Sequence, residues 1–101
     1  FVWNFCPLVF MEKSGKNRTP DLLSKKESAA VSEICGKALQ DIIKVMQCEN
    51  VVGIGRYSEM EAKKALAQNA VKIAYMLHPS PMSPLANQGW ALQANKCLAS
   101  L

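Results

Sequence analysis

Two β-branched runs, Val51-Val52-Gly53-Ile54-Gly55 and Val71 to Leu77, are separated by a stretch of helical character and preceded by a longer helical pattern. This alternation constrains the fold more than any other feature of the chain. Strands joined through a helix cannot form a tight hairpin; they lie parallel, and the crossover helix must cover one face of their sheet. The expected class is therefore α/β with a parallel sheet.

The remaining elements fit around that unit. Phe1 to Phe10 reads as a strand running into a proline-marked end, and Glu12 to Asp21, rich in Gly, Asn, Ser and Pro, reads as a loop. Ser24 with Glu27 three residues on forms a capping box, which predicts a helix to about Gln47. Val31, Ile34, Cys35, Ala38, Leu39, Ile42, Val45 and Met46 keep helical spacing along it and predict one buried face, with Gly36 marking close packing. Ser58 and Glu61 predict a second capping box, opening a helix to about Gln68. A last helix is predicted from about Asn87, with Trp90, Ala94, Cys97, Leu98 and Leu101 on one face.

Composition narrows the classes of function. Of the 101 residues, 50% are hydrophobic and 20% charged, which is the make-up of one compact domain. The chain opens on Phe1 inside an apolar run and is read as part of a longer protein. The longest apolar run, Phe5 to Met11, carries Pro7 and falls far short of a membrane span of roughly twenty residues. Cys6, Cys35, Cys48 and Cys97 are widely spaced and there is one histidine, so zinc and iron–sulfur sites are not expected. Such thiols fit a reducing compartment. The net charge is +4, and its excess flanks a nearly balanced middle, with Lys13, Lys16 and Arg18 set on the first loop. A field of that sign favours polyanions, although many basic proteins bind none.

Candidate chemistry centres on His78, the lone histidine, at the carboxyl end of the third apolar run. Chemical groups of α/β proteins gather where parallel strands end. Pro79, Pro81 and Pro84 stiffen the loop behind it. The same arrangement also makes an ordinary turn. Asn4, flanked by Trp3 and Phe5, must find backbone partners or face a cleft. Gly53-x-Gly55 lacks the third glycine of a dinucleotide-binding turn, and paired glycines at a strand end more often admit a close neighbour. A phosphate-binding P-loop string is also missing, and Cys6 reads as a core thiol.

Several strings then occur together and in order. They are Phe1-Val2-Trp3-Asn4-Phe5-Cys6-Pro7-Leu8, then Ser14-Gly15-Lys16-Asn17-Arg18-Thr19-Pro20, then Val51 to Arg56. His78-Pro79-Ser80-Pro81 follows, with Pro84, Ala86, Asn87, Gly89 and Trp90. Across essentially all 101 residues this resembles the carboxyl-terminal part of the single-strand-selective monofunctional uracil-DNA glycosylases, of the uracil-DNA glycosylase superfamily.

The resemblance implies a three-layer α/β/α fold, incomplete here, and hydrolysis of the N-glycosidic bond of uracil and oxidised uracils by base flipping. It implies that Asn4 reads the pyrimidine and that His78 is catalytic and bonds uracil O2. Ser14, Gly15, Lys16, Asn17, Arg18 and Thr19, and the loop Pro79, Ser80, Pro81, Met82, Ser83 and Pro84, would contact DNA. Met82 stands where the family has Arg, and Ser83 where it has Asn, which puts duplex affinity in doubt. The implied partner is single- or double-stranded DNA carrying the damaged base. No cofactor, metal or membrane is implied, and the protein is expected to be a nuclear monomer. The family's first motif, a Gly-Met-Asn-Pro-Gly-like turn that positions water, is absent, so the isolated residues are expected to be inactive and poorly folded. The rival reading is a noncatalytic α/β module that binds nucleic acid or nucleotides.

Overall fold

The computed structural model describes residues 1–80 and 84–101, with Asp21 described by its backbone alone. In chain order the elements are β1 (Phe10–Met11), β2 (Asn17–Arg18), a 3₁₀ turn (Pro20–Leu22), α1 (Lys25–Met46), β3 (Asn50–Ile54), α2 (Arg56–Ala65), β4 (Lys72–Met76), α3 (Pro84–Asn87) and α4 (Trp90–Ala99).

The α/β expectation is met by β3 and β4, which pair in parallel from Asn50↔Lys72 to Ile54↔Met76. The intervening helix α2 packs on both strands and on α1. Leu39 and Ile43 of α1 meet Ala62 and Leu66 in the core, with Phe5, Val51, Val71 and Ile73 packed around them. Gly36 admits α2 closely, as its placement predicts: a Cβ there would lie 3.2 Å from Ala65 Cβ. The four cysteines are free thiols; Cys35 is buried and the other three are half-buried.

The capping box on α1 forms as its spacing predicts. The Glu27 N–H donates to Ser24 Oγ, and the Ser24 N–H donates to the Glu27 carboxylate. Gln47 closes the helix in the left-handed region at φ 53°, its N–H bonding the Ile43 and Lys44 carbonyls.

Five expectations are corrected. Residues 1–9 form no strand, and only Phe10–Met11 extends, pairing antiparallel with Asn17–Arg18, which lies inside the expected loop. Strand geometry needs a neighbour to take up its backbone groups; β3 and β4 take up each other's, and Pro7 has no N–H to offer. The Ser58–Glu61 capping box does not form, because α2 starts at Arg56 from Gly55, whose φ of 91° turns the chain directly from strand into helix. Glu61 is buried instead, accepting from Ser32 Oγ at 2.5 Å and from Lys64 at 3.1 Å. Helix α2 also stops at Ala65 rather than near Gln68, where Leu66 turns into the core. Finally, the single buried face foreseen on α1 narrows to Cys35, Gly36, Leu39 and Ile43, leaving Ile34, Val45 and Met46 exposed. On α4 only Ala94 is buried, with Trp90 and Cys97 half-buried and Leu98 and Leu101 exposed.

Candidate functional site

The parallel pair delivers two backbone segments to one place. β3 ends at Ile54 and β4 at Met76, and the Gly55 N–H donates to the Met76 carbonyl at 2.8 Å, joining the strand exits. Two residues beyond β4 stands His78, exposed, with its Cβ and ring edge over Gly55. A Cβ on Gly55 would lie 3.3 Å from His78 Cβ and 3.6 Å from Cδ2. The paired glycines thus serve close approach, as their position at a strand end suggests. At Gly53 the neighbour is the first turn of α2, where a Cβ would meet Glu59 backbone atoms at 2.5 Å.

Helix α4 holds the same strand exit from another side. The Trp90 indole N–H donates to the Leu77 carbonyl, and Cys97 Sγ donates to the Tyr75 carbonyl at 3.1 Å. Beyond His78 the Ser80 N–H returns to the His78 carbonyl at 2.8 Å, turning the chain sharply. Pro79 is exposed, Ser80 half-buried, and Pro84 opens α3. The expected DNA-contacting residues Pro81, Met82 and Ser83 lie outside the described residues.

Asn4 is exposed. Its neighbour Phe5 meets Tyr57 edge-to-face, ring centroids 6.2 Å apart, two residues past Gly55. The contacts Phe5–Tyr57 and Gly55–His78 therefore bring the Asn4 segment and the His78 segment to the same end of the parallel pair. Among the described residues no hydrogen bond joins the two side chains. Next in sequence, Cys6 is a free thiol beside the buried Cys35, whose pKa is pushed up to about 11 by burial first, then by Cys6 and the Glu61 charge.

Of the basic hairpin, Ser14, Gly15, Lys16, Asn17 and Thr19 are exposed. Gly15 adopts φ 84°, and hydrogen bonds between Glu12 and Gly15 and between Lys16 and Glu12 close the turn. Arg18 is half-buried and donates to the Leu22 carbonyl at 2.9 Å, so part of its donor set is spent on the fold.

Sequence reasoning passed over Arg56 and Tyr75. The Arg56 guanidinium lies 4.1 Å from the Tyr75 ring centre and bonds Glu59 at 3.2 Å. Glu59 is held below the ordinary carboxylate range by Lys63 chiefly, with Arg56 adding to it. No spacing rule links residues 56 and 75; parallel register does, since Gly53 pairs with Tyr75. A depression of about 630 Å³ lies away from this end, against Lys25, Ser32 and Lys64 between α1 and α2. Among the described residues there is no cluster of three or more His, Cys, Asp or Glu able to hold a metal ion, and no helix long and apolar enough to cross a membrane.

Comparison with known proteins bears out the resemblance. No family model matches the chain. It is 42% identical over 103 aligned residues to the single-strand selective monofunctional uracil-DNA glycosylase of Rattus norvegicus, covering 100% of this chain and 37% of that protein. The Mus musculus and Bos taurus proteins of the same name are 41% and 40% identical, again over all of this chain, with 37% and 38% of their own lengths covered. The similarity to this family runs the whole length of the chain, and the chain spans less than two-fifths of these relatives.

Proposed function

We propose that this chain is part of a base-excision-repair enzyme that hydrolyses the N-glycosidic bond of uracil and oxidised uracils in single- and double-stranded DNA, the nucleotide being flipped out of the stack. The observation that carries the reading is His78 standing at the joined exits of two parallel strands, in a chain 42% identical throughout to a uracil-DNA glycosylase.

In this reading Asn4 offers its amide N–H to uracil O4 and its carbonyl to N3–H. Cytosine presents the reversed pattern and would leave buried groups unpaired, which is how the site rejects it. The His78 imidazole donates to O2. As the bond to the sugar breaks, negative charge accumulates on the departing base, and a donor already in place stabilises it. No covalent nucleophile takes part. Lys16 and Arg18 neutralise backbone phosphates, and the loop from Pro79 to Pro84 presses into the gap left by the base, with Met82 as its apolar wedge. The protein acts as a nuclear monomer.

Further walls of the pocket and the water-positioning motif come, we propose, from other parts of a three-layer α/β/α domain. Phe1 and Val2 are 82% and 86% exposed and Ile34 is 69% exposed, so large apolar side chains await cover. The 101 residues alone are accordingly inactive. In the complete polypeptide, His78→Leu is expected to cut uracil excision by orders of magnitude while leaving DNA affinity nearly unchanged. Unchanged excision per bound complex, with binding lost, would instead contradict the catalytic role given to the ring. Rapid turnover by the isolated 101 residues would overturn the need for the other walls.

A further inference from the structure

Resting on the reading of His78 as donor to the departing base, we infer that Gly55 and Trp90 are the residues that position its imidazole. A donor of this kind works only when held within about 0.5 Å of its productive place. Yet His78 is exposed among the described residues. Its place must therefore come from the backbone on which it stands and from whatever it rests upon.

Both are specified. The floor is Gly55. Its φ of 91° lies where a side chain is strained, and a methyl there would lie 3.3 Å from His78 Cβ, inside ordinary contact, and 3.6 Å from Cδ2. The Gly55 N–H donating to the Met76 carbonyl at 2.8 Å keeps this floor in register with the strand that carries the ring. The opposite restraint is Trp90. Its indole N–H takes the carbonyl of Leu77, the residue immediately before His78. Trp90 is the first residue of α4, and Cys97, two turns on along the same face, donates to the Tyr75 carbonyl at 3.1 Å, so α4 grips alternate carbonyls of the strand exit. The Ser80 N–H on the His78 carbonyl completes the frame.

Neither Gly55 nor Trp90 meets the base in this arrangement; each acts through His78. The test is a double-mutant cycle in the complete polypeptide. Single-turnover excision from a uracil-containing single-stranded oligonucleotide is measured for Trp90→Phe, Gly55→Ala and His78→Leu, and for each of the first two combined with the third. Affinity for a uracil-free oligonucleotide is measured alongside. Trp90→Phe keeps an aromatic ring and removes the N–H, so it carries the test where Gly55→Ala destabilises the fold.

Each single variant is expected to slow excision by about tenfold to a hundredfold, the scale of a 1 Å misplacement, with affinity within about twofold of the parent. In the His78→Leu background neither should slow the residual rate further. An equal loss in both backgrounds would reveal general damage and overturn the inference while leaving the role of His78 intact. Parent-like rates in both single variants would also overturn it. Parent-like excision by His78→Leu itself would remove the reading of function and the inference together.

Discussion

Gly53→Ala is the most severe single-methyl insertion that the geometry predicts. A Cβ at this position would lie 2.5 Å from both Cα and N of Glu59 and 3.0 Å from the Ser58 carbonyl carbon, whereas ordinary contact begins at 3.4 Å. These are backbone atoms in the first turns of α2, so no side chain can swing aside. The helix must retreat from β3 by about 0.9 Å, the shortfall between 2.5 and 3.4 Å. That retreat lifts Ala62 and Leu66, each 2% exposed, off the core they share with Leu39 and Ile43. A gap of this size forfeits roughly a quarter to a half of each atom-pair attraction across it. Overpacking of this kind costs about 3 kcal/mol at the upper end of its usual range. The entropy regained by replacing a strand glycine returns about 0.5 kcal/mol, leaving a net loss near ~2.5 kcal/mol. Gly36→Ala is the matched control: the only close neighbour is the Ala65 methyl at 3.2 Å, and the helix-propensity gain of about 1 kcal/mol offsets the squeeze. Urea unfolding of the two variants in the complete polypeptide, followed by far-ultraviolet circular dichroism, should separate them clearly. Equal midpoints would refute the close seating of α2 on β3.

Two further measurements probe the helices. Ser24→Ala removes the α1 cap and should cost about 1 kcal/mol in the same unfolding assay. The Glu27 carboxyl is held below its ordinary range by the Ser24 hydrogen bonds, so its contribution is present above the unfolded value and lost as pH falls through the lower folded one. Acid should therefore fray the first turn of α1 in the parent, and Glu27→Gln should flatten that dependence; an identical acid profile would contradict the capping geometry. Cys35, buried with its thiol pushed up to about 11, should resist alkylation at pH 8 until the chain unfolds, while half-buried Cys48 reacts in the native state. Mass mapping of early iodoacetamide adducts checks the order.

What could be read in advance divides along a physical line between local and relational features. The capping box at Ser24 is local: two side chains and two backbone N–H groups within one turn decide it, and α1 begins where they say. The same spacing at Ser58 and Glu61 misleads because its outcome is relational. Gly55 had already turned the chain into helix, and Ser32, on another helix, drew the Glu61 carboxylate inward. Strand character at Phe1–Val9 fails for a similar reason: alternation and apolar content offer an edge, but pairing requires a partner. The apolar positions of α1 state how much surface wants burial without stating how many neighbours will come, so Ile34 and Val45 stand exposed while Leu39 and Ile43 do not.

The site follows the same division. His78 is legible because a strand end followed by prolines is a local pattern, and the glycine pair announces close approach without naming who approaches. That His78 rests on Gly55 emerges only when β3 and β4 lie parallel and in register, Ile54 against Met76. Trp90 belongs to the string that follows His78, but its bond is not legible there, since it goes to a backbone carbonyl that every residue possesses. The Leu77 carbonyl lies one residue past the end of β4, beyond the last paired rung, with lone pairs open to a donor. The indole of a following helix is a fitting donor for it: rigid, one N–H, large enough to pack as it bonds. Helix α4 thereby becomes part of the chemistry of β4, although no residue of α4 is itself a candidate for contact with the base.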